Sequence, residues 1–435
     1  MPTLYKTLVA GMIGNVMEWY DFALFGYFAP VIARLFFPSD NHLVSLINTF
    51  GVFAAGFLMR PVGAAIFGHI GDTAGRKRSL TLSVMLMAIP TFLMGLLPTY
   101  AQIGVLAPIA LTLLRMLQGI SVGGEYTGSM TLLIESASPA RRGFIGSWVP
   151  FSTCIGILLG SGIGALLTAD MAPEALYSWG WRLPFLLGIV VGVCGLYLRR
   201  GLSESKDFQG IQEAGEVAAS PVQEVMADHR SEIITAICLN WLNGAAFYTV
   251  FVYLITYLAS ILKFPLGSAL IINTISMAFL AVLLPVVGAL SDRVGRKPIM
   301  VVGAASMVLF AYPLFQLLSH HTFEYVLFGQ LAFAFLIAVY FGPLPATVVD
   351  LFPPRRRCSG LSISYNFALA VFGGTAPLIA TFLIKETGNP LSPSFYLIIS
   401  ALVSLLFAWR IPAMADVAPF TSTTSQSRST VDRTY

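Results

Sequence analysis

Apolar residues occur along this chain in long, nearly unbroken stretches that short polar intervals separate. Most stretches come close to the roughly 20 residues that a helix needs to cross a bilayer. The pattern therefore predicts an all-α membrane protein with twelve spanning helices, here called spans 1 to 12. We place them at about 9–36, 46–70, 79–98, 105–134, 144–168, 183–200, 232–262, 267–291, 298–318, 325–350, 358–384 and 394–411.

The longest polar interval lies in the middle of the chain and divides the spans six and six. It contains eight charged residues, six of them acidic, so we predict a solvated, partly helical linker at 201–231. The halves on either side are then 1–200 and 232–411. The Ser/Thr-rich segment 412–435 is predicted to be a disordered cytoplasmic tail.

Composition supports the membrane assignment, because 56% of the residues are hydrophobic and only 11% are charged, against about 25% in soluble proteins. The net charge of +4 is explained by loop cations and does not indicate nucleic-acid binding. Four cysteines stand singly, without the spacing of a metal site. Motifs of hydrolases and of ATP-binding loops are missing, so we predict a protein that is not an enzyme and needs no cofactor or metal.

The distribution of Lys and Arg predicts the orientation. Nineteen of the 25 cations fall on the side that holds both termini and the linker. Since cytoplasmic loops are enriched in Lys and Arg, we expect both termini to be cytoplasmic and the chain to cross a bacterial inner membrane many times.

A loop motif occurs twice. The interval after span 2 reads GHIGDTAGRKRSL and the interval after span 8 reads GALSDRVGRKPIM. A second pair follows, with Glu135 before Arg141-Arg142 after span 4 and Asp350 before Arg355-Arg356-Arg357 after span 10. Such duplication predicts two six-helix halves in parallel arrangement, as found in transporters.

These loops resemble the signature of the major facilitator superfamily, although Thr73 stands where that signature usually has Arg. Three further strings, GNVMEWYDF, QGISVGGEYTG and WGWRLPF, are similar to its metabolite:proton symporter family. Known members of that family carry citrate, 2-oxoglutarate, shikimate, proline or betaine. The resemblance implies the twelve-helix fold and proton-coupled import of a small polar metabolite.

The charged loops are predicted to form a cytoplasmic gate, because an acidic residue that recurs in both copies adds little to topology. For Arg78 and Arg357 the positive-inside bias alone is a sufficient explanation. The predicted gate residues are Asp72, Arg76, Asp292, Arg293 and Arg296.

Charges within spans are costly, roughly 2.5–3.5 kcal/mol each at the bilayer centre, and all of those in this chain lie in the first half. Glu18 and Asp21 are in span 1, and Arg115 and Glu125 are in span 4. A helical spacing places Arg115 and Glu125 about 15 Å apart, so each needs another partner. For Arg60 in span 2 we expect packing or contact with lipid headgroups.

A carboxylate carries protons usefully when its pKa lies near ambient pH. The predicted proton-coupling residues are Asp21, Glu18 and Glu125, with a purely structural role for each left open. Polar and aromatic side chains near the midplane suit a small oxygen-bearing ligand. The predicted substrate-binding residues are Arg115, Gln118, Asn15, Tyr20, Asn243, Tyr248, Tyr365 and Asn366.

The expected function is import of an organic carboxylate with protons by a monomer in the lipid bilayer. The alternative is an importer of a zwitterionic osmolyte or amino acid of the proline/betaine type. A proton-coupled exporter is less favoured, because span 5 lacks the proline of the exporter motif. The tail also lacks the heptads of osmosensing betaine/proline members, which moves the preference toward a carboxylate.

Overall fold

The structure is a computed structural model that describes residues 2–40, 42–200, 203–218 and 220–411. Within these ranges all regular elements are helical. Eleven helices of the described residues are long and apolar enough to cross a membrane. The helix of span 1 is not among them, and it contains Glu18 and Asp21. With span 1 included, the predicted twelve-helix fold is confirmed.

The first half contains spans 1 to 6, and two of these spans are broken within the bundle. Span 1 has a short interruption at Phe28, and span 2 is broken at Met59. The helices of this half are Pro2–Tyr27 and Ala29–Phe36, His42–Leu58 and Arg60–Thr73, Arg76–Leu96, Leu106–Ser136, Arg142–Asp170, and Arg182–Arg200.

The second half contains spans 7 to 12, and spans 7 and 11 include π-helical turns. Such turns often occur at functional sites, because the extra residue re-aims nearby side chains. The α-helical parts of this half are Arg230–Phe247 and Leu254–Thr256, Leu266–Val294, Arg296–Leu318, Phe323–Phe341 and Leu344–Asp350, Arg357–Ala368 and Ala376–Thr387, and Pro393–Arg410.

Each copy of the duplicated loop turns at a glycine in the same position. Gly75 has φ 99° between spans 2 and 3, and Gly295 has φ 100° between spans 8 and 9. Residues with a Cβ rarely adopt such values, whereas glycine does so readily. The shared glycine therefore gives both halves the same sharp helix–helix connection.

Two short helices form within the predicted linker, at Lys206–Glu213 and Pro221–Asp228. Both lie against the end of the bundle that contains the duplicated loops, which we call the linker end. The two halves meet mainly where span 5 packs on span 8 and span 2 packs on span 11. The predicted tail at 412–435 lies outside the described residues.

Candidate functional site

An aromatic chamber lies between the two halves, and the non-atom space within it and at its mouth amounts to about 400 Å³. Spans 1, 4, 5, 7, 8, 10 and 11 all contribute to its wall. Neither Lys nor Arg lines it among the described residues, and its few polar groups include Thr153 and Asn243. The aromatic lining consists of Trp19, Tyr126, Phe247, Tyr248, Phe341 and Tyr365.

Ring contacts across this chamber join the halves. Tyr126 of span 4 stacks on Tyr365 of span 11 with centroids 4.6 Å apart. Trp19 of span 1 meets Phe247 of span 7 edge to face at 5.6 Å. The hydroxyl group of Tyr248 and the indole nitrogen of Trp19 are buried without a hydrogen-bond partner. The wall therefore offers aromatic faces together with polar atoms that remain available to a ligand.

The side chains of the first charge cluster, around Arg115, bond to one another within the first half. The Arg115 guanidinium group donates to Asp21 Oδ2 at 2.5 Å and to Gln118 Oε1 at 2.8 Å. Gln118 in turn donates to Asp21 Oδ1 and to the hydroxyl of Thr91. The ring of Phe25 lies 4.2 Å from the guanidinium carbon. Arg115, Asp21 and Gln118 do not line the chamber.

The second cluster pairs Glu125 with Arg199, at the end of span 6. Both side chains are buried, and Ser83 of span 3 donates a further hydrogen bond to the carboxylate. The sequence analysis counted Arg199 only among the cations on the side of the termini and assigned it no partner, whereas the structure pairs it with Glu125. Glu125 lies nearer the linker end of span 4 than Arg115 does, at the level where span 6 ends. This depth was the sequence signal that pointed to a partner at the end of span 6.

The third cluster, Glu18 and Arg60, is incomplete. Arg60 Nη2 lies 3.8 Å from Glu18 Oε1, and both side chains are almost fully buried. Among the described residues, both oxygens of Glu18 and both terminal nitrogens of Arg60 lack a hydrogen-bond partner. The expected contact of Arg60 with lipid headgroups is wrong, since its Nε lies 3.4 Å from Asn366 Oδ1 in the other half.

The predicted substrate residues separate into two groups. Asn243, Tyr248 and Tyr365 line the chamber. The rest are bonded outside it. Asn15 donates to the hydroxyls of Ser129 and Ser152, and Tyr20 donates to a backbone carbonyl group in span 6.

Asn366 is likewise held away from the chamber, because its amide donates to the carbonyl groups of Gly123 and Ser362. Its Oδ1 faces Arg60, which places Asn366 behind the chamber wall. Trp19, Phe247 and Tyr126 line the chamber although the sequence analysis did not select them. Trp19 and Tyr126 lie within the strings GNVMEWYDF and QGISVGGEYTG, which were the available signal, whereas nothing in its local sequence separates Phe247 from ordinary core aromatics.

At the linker end, Asp72 and Arg76 form the first part of a network between the halves. Asp72 accepts hydrogen bonds from the backbone N–H groups of Cys358 and Ser359, at the start of span 11. Arg76 pairs with Glu135 at 3.1 Å.

The second copy repeats this arrangement. Asp292 accepts hydrogen bonds from the backbone N–H groups of Gly143 and Phe144, at the start of span 5. Arg296 pairs with Asp350 at 2.6 Å, as Arg76 pairs with Glu135 in the first half.

The structure places two arginines differently from what the sequence analysis predicted. Arg357, which needed no role beyond topology, is buried and pairs with Glu135 and with Asp207 of the linker, each at 2.9 Å. Arg293, a predicted gate residue, is exposed and takes no part in the network described here. Arg142 makes the bond to Asp350 that mirrors the bond between Arg357 and Glu135.

Comparisons with known proteins agree with this architecture. Residues 6–229 match the family model described as "Sugar (and other) transporter", and residues 236–432 match "Major Facilitator Superfamily". The chain is 35% identical over 412 residues to the glycine betaine/proline/ectoine/pipecolic acid transporter OusA of Dickeya dadantii (strain 3937), covering 93% of this chain and 82% of that relative.

A putative proline/betaine transporter of Staphylococcus aureus (strain COL) is 37% identical over 408 residues, covering 92% of this chain and 86% of the relative. The proline/betaine transporter of Escherichia coli (strain K12) is 33% identical over 415 residues, covering 93% and 82%. These relatives are transporters, which agrees with the expectation that the chain is not an enzyme.

Among solved structures, the proton:xylose symporter XylE bound to 6-bromo-6-deoxy-D-glucose superposes with a TM-score of 0.79 at 17% identity, covering 95% of this chain and 96% of that chain. The inward open conformation of XylE from E. coli gives a TM-score of 0.65 at 18% identity, covering 95% and 97%. Both similarities show the fold. The duplicated loops, the helical bundle and these matches together establish that the chain belongs to the major facilitator superfamily, as a metabolite transporter.

Proposed function

We propose that this chain imports a zwitterionic osmolyte or amino acid of the proline/betaine type together with protons. The observation that carries the proposal is the aromatic chamber without a Lys or Arg in its lining. A cationic ammonium group is attracted to the faces of Trp, Tyr and Phe rings, most strongly where water is excluded. A citrate-like substrate with several carboxylates would instead need several cations facing it.

The names of the relatives support the same substrate class, and they favour it over the organic carboxylate that the sequence analysis preferred. The missing heptads were a weak argument, because a tail appended to the transport fold does not build the substrate chamber. The carboxylate preference is therefore replaced by its alternative, a zwitterion.

For proton coupling, the geometry favours Glu18 among the three predicted carboxylates. Asp21 is held by Arg115 and Gln118, and Glu125 is held by Arg199 and Ser83. Only Glu18 keeps both oxygens without a hydrogen-bond partner. A carboxylate with free oxygens can accept a proton without first breaking a set of hydrogen bonds.

We further propose that the linker end faces the cytoplasm of a bacterial cell, with the predicted gate closed in this structure. The excess of Lys and Arg at this end supports that orientation. Asp72, Asp292 and the Glu135 and Asp350 ion pairs tie the halves together there. Under this proposal the closed linker end separates the chamber from the cytoplasm, and substrate would enter from the opposite side, as import requires.

A thermal-shift panel tests the substrate class on the purified chain. Glycine betaine, proline, citrate, 2-oxoglutarate and shikimate are compared at equal concentration, with Trp19→Ala and Trp409→Ala as matched variants. A ligand at about 100 times its Kd stabilises by about 2.7 kcal/mol. We expect shifts with glycine betaine or proline that Trp19→Ala removes and Trp409→Ala keeps, because Trp409 is exposed. Shifts with citrate or 2-oxoglutarate alone would contradict the proposal.

A further inference from the structure

Glu18 and Arg60 form a buried pair whose polar atoms are left largely unused. Glu18 has 0% and Arg60 has 1% of its side chain exposed, and the closest approach of their charged atoms is 3.8 Å. Four atoms, Glu18 Oε1 and Oε2 and Arg60 Nη1 and Nη2, have no hydrogen-bond partner in the part of the chain that the structure describes. Removing ions from water costs several kcal/mol each unless hydrogen bonds compensate. A buried pair whose polar atoms lack partners is suited to binding a further polar group.

The pair lies at the boundary between the two halves and behind the chamber wall. Arg60 begins the second helix of span 2, directly after the break at Met59. Its Nε lies near Asn366 of span 11, and the Tyr248 hydroxyl group of span 7 lies next to its guanidinium group. Tyr248 lines the chamber, and its hydroxyl, which makes no hydrogen bond of standard geometry among the described residues, interacts with Arg60. A rotation of the Tyr248 side chain would connect the chamber with Arg60.

We propose that Arg60 binds the carboxylate of the substrate and that this carboxylate takes the place of Glu18, which then carries the proton. The inference rests on the proposed function, since it assumes a substrate with one carboxylate. The two free Nη groups of Arg60 donate to the two carboxylate oxygens in the bidentate geometry that guanidinium favours. One proton binds a Glu18 oxygen, and no other covalent bond forms or breaks.

Arg115, the cation that the sequence analysis assigned to the substrate, is less suited to this task. Its guanidinium group already donates to Asp21 and Gln118, and aromatic rings enclose it. A substrate carboxylate would have to compete with Asp21 and Gln118 for it, although the Nε of Arg115 has no hydrogen-bond partner among the described residues. At Arg60 the same carboxylate finds two unpartnered donors.

Charge balance couples the two events. Without substrate, Glu18 and Arg60 neutralise each other. When the carboxylate occupies Arg60, an ionised Glu18 would be left buried without a partner, so protonation of Glu18 favours substrate binding and substrate binding favours protonation. Asp21 acts on Glu18 from the same span, and the charged and titratable groups on the neighbouring spans that interact with it are Arg60, Glu125, Tyr126 and Tyr248. Arg115 and Arg199 pair with Asp21 and Glu125.

The test measures the Kd of glycine betaine for the purified full chain at pH 5.5 and pH 8, in wild type, Glu18→Gln, Arg60→Gln and Arg60→Lys. Choline serves as the probe that keeps the quaternary ammonium and lacks the carboxylate. For wild type we expect betaine binding to weaken by about tenfold from pH 5.5 to pH 8. Glu18→Gln should bind at pH 8 as tightly as wild type binds at pH 5.5, because its side chain is permanently neutral.

Arg60→Gln should weaken betaine binding by about tenfold or more at both pH values and leave choline binding unchanged. Arg60→Lys should fall between wild type and Arg60→Gln. Equal weakening in Glu18→Gln and Arg60→Gln would overturn the proposal, because a merely structural pair is damaged by either change. If Arg60→Gln does not fold, the comparison of Glu18→Gln with wild type across pH decides the question on its own.

The failure of the proposed function has a different signature. In that case wild type binds neither glycine betaine nor proline but binds a monocarboxylate of the panel. The same variants are then compared with that monocarboxylate, and loss of affinity in Arg60→Gln with retention in Glu18→Gln would still support the exchange at Arg60.

Discussion

Asp72 and Asp292 occupy equivalent positions in the two copies of the duplicated loop, and each binds the start of a helix in the opposite half. Asp72 accepts two backbone N–H groups of span 11 at 2.8 and 3.1 Å. Asp292 accepts two backbone N–H groups of span 5 at 2.7 and 2.8 Å. Helix N-termini leave such groups free and carry partial positive charge. The duplication thus produces two crossed clamps at the linker end.

The clamp at Asp72 predicts the reactivity of a native cysteine. Cys358 is only 3% exposed, and its N–H group is one of the donors to Asp72. Asp72→Asn should raise the labelling rate of Cys358 by about tenfold, because losing about 1.4 kcal/mol of charge-assisted bonding shifts the closed–open equilibrium by that factor. Mass spectrometry after alkylation measures the rate at each cysteine.

Asp40→Asn is the matched control for this measurement, because Asp40 is exposed at the opposite end of the bundle. Cys358 in that variant should react at the wild-type rate. A Cys358 rate in Asp72→Asn that equals that of wild type would show that the contact does not hold the linker end closed.

Replacing Gly14 with alanine is expected to lower the stability of the protein. A Cβ at this position would overlap both Glu125 Oε1 and Arg199 Nη2. Gly14→Ala should therefore separate the buried pair and lower the free energy of unfolding by about 3 kcal/mol or more.

The same helix offers the control, since a Cβ at Gly26 would have no neighbour within 4 Å. Gly26→Ala should be neutral or stabilising by up to about 1 kcal/mol, as helix propensity favours Ala. Thermal unfolding of both variants in detergent provides the comparison, and equal stability of Gly14→Ala and Gly26→Ala would contradict the tight packing at Gly14.

Much of this arrangement could be predicted from the sequence. The spacing along span 4 showed that Arg115 needs a partner other than Glu125, and Arg115 does pair with Asp21 of span 1. The duplicated loops identified Asp72 and Asp292 because acidic residues recur there without a topological reason. In both cases the spacing or the recurrence of charged residues supplied a signal in addition to hydrophobicity.

The remaining contacts depend on how each span is rotated and tilted, which hydrophobic runs do not encode. Arg199 looked like a loop cation because an apolar run ends beside it, yet its side chain reaches Glu125 inside the bundle. Arg60 follows a break in span 2 that a continuous apolar stretch conceals. Tyr20 is close to the predicted cluster in sequence, but its hydroxyl is bonded to span 6.

Asp21 provides a test of the coupling assignment. Asp21→Asn removes one partner of a buried pair and leaves Arg115 uncompensated, which typically costs about 3–5 kcal/mol. We expect lower stability, with uphill uptake retained at a reduced level if Glu18 carries the proton. Proteoliposomes with an imposed pH gradient measure accumulation, and counterflow measures exchange. Complete loss of accumulation with normal counterflow would transfer the proton-carrying role to Asp21.

The proposed orientation predicts opposite labelling at two exposed positions. Asp40 lies between spans 1 and 2, and Gln209 lies in the linker. In intact cells an impermeant thiol reagent should label Asp40→Cys and should label Gln209→Cys only after the cells are made permeable. The reversed result would place the linker outside the cell and contradict the charge distribution.

Uptake by proteoliposomes tests the central claim most directly. Radiolabelled glycine betaine, proline and citrate are offered at equal concentration with an inwardly directed proton gradient, with and without a protonophore. One pH unit contributes about 1.4 kcal/mol, enough for about tenfold accumulation of a solute that enters with one proton. We predict that betaine or proline accumulates, that the protonophore abolishes the accumulation, and that citrate stays at equilibrium. Accumulation of citrate without betaine or proline, or accumulation that survives the protonophore, would contradict the account.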